Sequence, residues 1–534
     1  MESVLIYDTT LRDGTQGEKI NFTALDKMKV ARKLDDMGIH YIEGGWPGAS
    51  AKDFEFFRMA AEEPFVNARM AAFCSTHKHG SAPEDDRQLQ AVLESGAHVG
   101  TIVGKTWDLH VTKILGIPLE ANLEMIRSSV EHLKKNNIEV HYDAEHFFDG
   151  YKENPDYACS TIEAAVKGGA DAVVLCDTNG GALPHEIEEI MGEINKVIRK
   201  TSDRRLRVGI HTHNDSNLAV ANTITAVRAG ASIVQGTING YGERCGNADL
   251  TSIIPILKIK MGYDCVSDEN LAKLQKVSLY ISETANMTPI NSRPFVGKSA
   301  FTHKGGLHVD AIMKEPRSYE HIEPELVGNK RRVLISDMSG KSNIKYKARE
   351  LGFPVDENGY DYSEIVNTVK RLEQEGFQYD VADGSLRILM EKLTNRFTPC
   401  FELESFRVTV EKEKDRPCRS HAVIKINVDG VEEITAAEGH GPVSALDNSL
   451  RKALNNVYGN ALDPVHLVDF KVRVLDGREG TGSKVRVLIE SRDEEAIWST
   501  IGVSEDIIEA SWQSLADSFQ YKLAKATNGN GQPQ

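Results

Sequence analysis

The chain has no run of about 18 apolar residues able to cross a bilayer, no Cys-x-x-Cys pair and no excess of positive charge. Its amino terminus lacks the basic stretch, apolar core and small-residue cleavage site of a secretory leader. Each absence removes a class of protein. Without a leader or an apolar span, the expected location is the cytosol. Seven cysteines, Cys74, Cys159, Cys176, Cys245, Cys265, Cys400 and Cys418, are odd in number and scattered, which fits reduced thiols packed as small hydrophobes rather than disulfides or a structural zinc. A formal net charge of -16 argues against nucleic acid or an anionic membrane as partner, because neutralising phosphates takes a basic face. Small anions stay open, since a metal ion, an arginine or a helix amino terminus is enough to hold one.

What is there is 534 residues, 40% hydrophobic and 27% charged, enough for large buried cores in two or three domains. As far as residue 262, β-branched runs alternate with amphipathic stretches in the rhythm of βα units. The predicted strands are "VLIYDTT", "YIEGGW", "MAAFCST", "HVGTIVG", "EVHYDAEHF", "AVVLCDT", "RVGIHTHN" and "SIVQGTING". Between them lie helical patterns such as "TALDKMKVARKLDDMG", with the N-cap candidate Thr23 and a stop at Gly38, and "PDYACSTIEAAVKGGA", which ends on two glycines. Eight such units match a (β/α)8 TIM barrel over residues 1–265.

Residues 266–398 read as an appended helical region, interrupted by "NSRPFVGKSAFTHKGGLHVDAI". Residues 399–526 read as an α+β domain of two strand-strand-helix halves, with an Asp429-Gly430 hairpin turn. Residues 527–534 read as a frayed tail.

In a barrel of this kind the working groups sit at the carboxyl ends of the strands. Those positions carry Arg12, Asp13, Glu43, Glu145, Asp177, Thr178, His211, His213 and the loop Asn239 to Asn247. His211 and His213 stand two apart on a strand and so face the same way, into the barrel. Two imidazoles on one face can hold a divalent metal, although a bare H-x-H is also what a pair of core histidines looks like. Barrel closure brings strand one close to strand seven, which places Asp13 near both histidines. An aspartate with two histidines suits Zn, Mn, Mg or Co rather than a thiolate metal.

Arg12 beside that aspartate is either an anion-binding cation or half of a rim salt bridge. Glu145 either activates a group above the metal or makes structural hydrogen bonds, and Glu43 is a candidate supporting group. Gly240, Gly242 and Gly246 loop back toward a helix expected to begin at Asn247, which would bring backbone N–H groups to the barrel mouth.

"YDTTLRDGTQ", "HTHND" and "NGYGERCGNADL", in this order and at these strand ends, resemble the signature motifs of the α-isopropylmalate synthase family. Its members are metal-dependent barrels that join or cleave carbon-carbon bonds next to carboxylates. "RPFVGKSAFTHKGGLHVDAI" and "AEGHGPVSALDNSLRKAL" extend the resemblance through the helical region into a terminal regulatory domain. Within the family, "YIEGGWPGASAKDFEFF" and "HYDAEHFFDGYKENPDYA" are similar to the branch that takes pyruvate as acceptor.

The resemblance implies a Claisen condensation of acetyl-CoA with a 2-oxo acid, followed by thioester hydrolysis. It makes Asp13, His211 and His213 ligands of a divalent ion (Mg, Mn, Zn or Co), with Asn247 as a fourth or supporting group. Arg12 would bind substrate and stabilise the growing oxyanion, Thr178 would hold the acid's carboxylate, and Glu145 would assist at the metal. The base is implied to be His308, oriented by Asp310, with Tyr319 in the place of a family tyrosine and His303 structural. A homodimer with exchanged helical regions is implied as well, and feedback at the terminal domain by isoleucine if pyruvate is the acceptor. Rival readings are 2-oxoisovalerate as acceptor with leucine as effector, a homocitrate-forming cousin, an acyl-CoA carbon-carbon lyase, and a catalytically inactive amino-acid sensor.

Overall fold

The structure is a computed structural model that describes residues 3–201, 206–353, 361–476, 480 and 482–529. The chain divides into two compact units, one comprising Met1–Phe301 with Ile322–Lys330, the other Thr302–His321 with Arg331–Gln534. The single helical region expected over 266–398 is therefore shared between the two. Helix Leu274–Thr284 packs in the first unit, burying Leu274, Val277 and Ile281 in the barrel's core.

The first unit is a closed barrel of eight parallel strands. They are β1 (Leu5–Asp8), β2 (Tyr41–Gly45), β3 (Arg69–Ser75), β4 (Val99–Lys105), β5 (Glu139–Glu145), β6 (Ala172–Asp177), β7 (Arg207–Thr212) and β8 (Ile233–Gly236). Each falls within or beside an expected β-branched run, and β1 closes on β8 with Leu5 opposite Ile233 and Asp8 opposite Gly236. Punctuation in the sequence works as expected too. Thr23 and Asp26 form a reciprocal capping box at the start of helix Ala24–Asp36, Gly38 follows that helix at φ 81°, and Gly169 ends helix Pro155–Gly168 in the left-handed region.

Strand periodicity sends alternate residues into the barrel. The lower interior is apolar and aromatic, with Tyr7, Tyr41, Ala71, Val99, Ala172 and Ile233 in one buried cluster. One step further along the strands the interior turns polar: Thr9, Glu43, Asp143, His211 and Gln235 are all buried.

The second unit opens with a two-stranded parallel sheet, β9 (Thr302–His303) and β10 (Arg332–Val333), and helices Gly306–Lys314, Lys341–Glu350, Tyr362–Glu375 and Asp383–Leu393. Beyond Cys400 each half of the α+β region has three strands, not two. β11 (Glu402–Glu411), β12 (Arg419–Val428) and β13 (Val431–Gly439) form one antiparallel sheet with helix Pro442–Tyr458. The other sheet comprises β14 (His466–Val474), β15 (Val485–Arg492) and β16 (Ile497–Ser504), with helix Ile507–Gly529. Alternation on β12 buries Ile424 and Ile426 against Leu446, Leu450 and Leu454 of the first helix. The Asp429-Gly430 turn has both residues at positive φ, 51° and 83°, as a tight primed hairpin requires. The last helix runs to Gly529, into the segment expected to fray, and residues 530–534 lie outside the described residues. Among the described residues no helix is long and apolar enough to cross a membrane, and all seven cysteines are free.

Candidate active site

The strand ends converge on a cavity of about 530 Å³ whose wall includes Arg12, Asp13, Glu145, Thr178, His211 and His213. Asp13 follows β1, and its Oδ2 lies 3.5 Å from His211 Nε2 and 3.9 Å from His213 Nε2. Ligand atoms of these three buried side chains all lie within 4.8 Å of one another. His213 sits just past the end of β7, where a backbone bridge pairs it with Asn247. Burial works against the charge of Asp13, yet Arg12, His211 and His213 hold its carboxyl below the usual range. Burial pushes both imidazoles down, His213 to about 4 with the neighbouring His211 adding to the effect. At neutral pH the cluster is thus one carboxylate and two neutral imidazoles, the state in which such groups bind metal.

Three buried polar atoms here have no hydrogen-bond partner: Asp13 Oδ1, His213 Nδ1 and Asn247 Oδ1. Buried polar groups are rarely left unmatched, and carboxylate and amide oxygens beside the Nε2 atoms of two imidazoles fit a divalent cation. The residues present therefore suit the implied metal, with Asn247 adjacent through its backbone bridge to His213.

Arg12 is held from two sides. Its Nε donates to Glu43 Oε2 at 2.6 Å, while the guanidinium lies 4.0 Å over the ring of Phe73. Glu43 is fully buried and also accepts from Thr9 Oγ1 and Tyr7 OH, at 2.5 and 2.9 Å. Phe73 in turn meets Trp46 edge-on at 5.1 Å. Nη1 of Arg12 remains 3.4 Å from Asp13, so a permanent cation is fixed beside the cluster. Thr178, one residue beyond β6, accepts from the backbone N–H of His146 at 2.9 Å and lines the cavity. Asp177 accepts from the N–H groups of Gly181 and Ala182 at 3.2 and 3.3 Å and shapes the following turn.

Glu145 is ion-paired with Lys105, which holds it at the cavity wall. The glycine-rich loop differs from expectation. No helix starts at Asn247: the short helix begins at Leu250, capped by Asp249, which accepts from Thr251 N at 2.9 Å. The glycine-rich loop instead serves as a close-fitting brace. A Cβ on Gly242 would overlap the Asn247 amide, and one on Gly246 would overlap the Gly240 carbonyl. Arg244 ties the loop down by donating to both Asp215 oxygens, at 2.8 and 3.0 Å, and to the Thr178 carbonyl at 2.6 Å.

His308, Asp310 and Tyr319 belong to the second unit. There the ring of Tyr319 stacks on His308 at 4.2 Å. Asp310 does not orient that imidazole; its oxygens accept from Lys314 and Ser342 at 2.7 and 2.9 Å. The segment is a helix, Gly306–Lys314, and residues two apart on a helix do not face each other. His303 is held by Glu320 at 3.1 Å, in keeping with a structural role.

Sequence reasoning left Asp143, Gln235, Lys105 and Arg244 unassigned. Asp143 was within reach, since it shares the inward face of β5 with Glu145 two residues on. Burial and nearby Glu43 push its carboxyl up to about 8.

A closed parallel barrel with a buried Asp-His-His cluster and a fixed arginine at its C-terminal mouth defines a class, the divalent-metal (β/α)8 enzymes. The chain belongs to the HMGL-like family, which it matches over residues 3–281. Residues 295–376 match the homocitrate synthase post-HMGL domain-like family, and residues 380–523 the LeuA allosteric (dimerisation) domain. It is 51% identical to a protein of Geobacter sulfurreducens named (R)-citramalate synthase, over 99% of both chains. Proteins of the same name from Aquifex aeolicus and Synechocystis sp. are 50% and 47% identical, over 98% and 99% of this chain and 98% and 97% of theirs.

Proposed function

We propose that the chain catalyses the (R)-citramalate synthase reaction: acetyl-CoA condenses with pyruvate, and hydrolysis of the thioester gives citramalate and free CoA. The observation that carries this reading is the likeness, along essentially the whole length of both chains, to proteins of that name. The cavity chemistry supports it. A divalent cation held by Asp13, His211 and His213, with Asn247 as fourth or supporting ligand, would polarise the 2-oxo group.

Arg12, fixed by Glu43 and Phe73 before substrate arrives, stabilises the oxyanion that develops as the new bond forms, and costs no reorganisation at that moment. The Thr178 hydroxyl donates to the acid's carboxylate. Glu145, steadied by Lys105, positions substrate or the hydrolytic water. His308, stacked on Tyr319, takes the methyl proton of acetyl-CoA, a weak carbon acid that needs a base. The protein acts as a homodimer through the region matching the LeuA domain, where isoleucine binds as feedback inhibitor.

The test is release of free CoA thiol with Mg or Mn and acetyl-CoA, comparing pyruvate with 2-oxoisovalerate and 2-oxoglutarate. Pyruvate is expected to be preferred; preference for 2-oxoisovalerate moves the reading to isopropylmalate synthesis and leucine. His308→Ala should leave pyruvate binding in place and stop thiol release, and turnover at the parental rate would remove His308 as the base.

A further inference from the structure

Gln235 is wholly enclosed in the barrel, on a strand that pairs with β1 through Tyr7 and with β7 through the adjoining residue Val234. Its amide connects two groups of the cavity wall. Oε1 lies 2.9 Å from His211 Nδ1, and Nε2 donates to Asp143 Oδ1 at 3.0 Å. An amide accepts at one end and donates at the other. With the donating end on Asp143, the accepting end faces the imidazole, so the proton of neutral His211 belongs on Nδ1. Nε2, 3.5 Å from Asp13, is left with its lone pair toward the cluster.

We infer that Gln235 is a positioning residue: it selects the Nδ1–H tautomer of His211 and so readies Nε2 for a divalent cation shared with Asp13 and His213. This rests on the metal reading of that cluster. The two histidines differ in this respect. His213 Nδ1 is buried and has no hydrogen-bond partner, so one imidazole is pre-set by a neighbour and the other is not. The opposite arrangement is chemically complete as well. With the amide turned over and Asp143 donating, Gln235 would donate to Nδ1, and the imidazole proton would sit on the atom that faces the cation. The two arrangements differ in an observable, the tautomer of His211 in the metal-free protein.

The experiment uses the full chain with selectively 15N-labelled histidine, the His211 signals being assigned by their loss in His211→Gln. In metal-free wild type at neutral pH, His211 should show a protonated Nδ1 and an unprotonated Nε2; the reverse overturns the inference whatever any variant does. Mn2+ affinity by calorimetry gives the second readout. Gln235→Leu should weaken binding about 10 to 100-fold, the usual cost of losing a group that orients a ligating histidine. Gln235→Glu, which restores an acceptor for Nδ1–H, should regain most of that loss. A folded Gln235→Leu protein with wild-type Mn2+ affinity overturns the inference while leaving the metal site standing. Absence of Mn2+ binding by wild type removes the metal reading itself, and the role of Gln235 with it.

Discussion

The two halves of the barrel interior make a controlled contrast, since each sets a buried histidine beside a carboxylate. At the floor, Tyr7, Tyr41 and His141 pack ring to ring, with centroids 5.0 to 5.9 Å apart. Tyr41 OH donates to Glu139 at 2.9 Å, His141 Nε2 lies 2.9 Å from the same carboxylate, and Arg69 pairs with it from the rim. A single atom there, His141 Nδ1, lacks a partner. At the mouth, Asp13, His213 and the adjoining Asn247 each have one. A lone unmatched atom is a tolerated cost of packing. Several on adjoining residues mark a position built for something else. Burial and charge, which the halves share, do not identify a site; unmet hydrogen-bonding capacity at a single place does.

The contrast breaks most sharply at the mouth. Asp13→Ala or His213→Ala should lower metal-dependent CoA release by about 10³-fold or more, the loss of several kcal/mol of charge stabilisation. The melting temperature should hold or rise, because a site preorganised for function is a poor contributor to stability. Full activity in either variant would remove the metal assignment. Ile233→Ala, in the buried floor cluster, should do the reverse. Stability should fall by about 2 to 5 kcal/mol in chemical denaturation, with turnover per folded molecule unchanged; a matching collapse of activity would mean the halves do not act independently.

The smallest effect concerns His141, which burial pushes down to about 3. The unfolded chain, titrating near pH 6.5, takes up the proton first, so this stability is present above pH 6.5 and is lost as pH falls toward 3. About 2 kcal/mol should be gone at pH 5. His141→Gln should flatten that part of the stability profile, and an unchanged slope between pH 7 and 5 would contradict the assignment.

The barrel was legible because β-branched runs and capping residues recur locally, from Val4-Leu5-Ile6 to Ile233-Val234. Asp13, His211 and His213 could be brought together on paper because closure of eight strands brings β1 beside β8 and one strand from β7. The strands β13 and β16 were missed. β13, "VEEITAAEG", is rich in Glu and Ala, poor strand formers, and keeps its register only by pairing along β12. The orienting role that the resemblance implies for Asp310 is not seen, because the segment is helical and residues two apart on a helix do not face each other. Gln235 carried no local signal at all: an amide within an apolar run says nothing until β5 and β7 place Asp143 and His211 at its two ends.

Closure of β1 on β8 also sets a timetable. Thr10 Oγ1 accepts from the backbone N–H of Ile238, 228 positions later, and at ~5 to 20 residues per second the ribosome takes about 10 to 50 s to make that stretch. Through that interval the first strand has no partner on one side, and Asp13 stands without its histidines. A newborn chain thus spends most of the barrel's synthesis with an open edge, and the cation-binding corner is among the last parts of the barrel to be assembled.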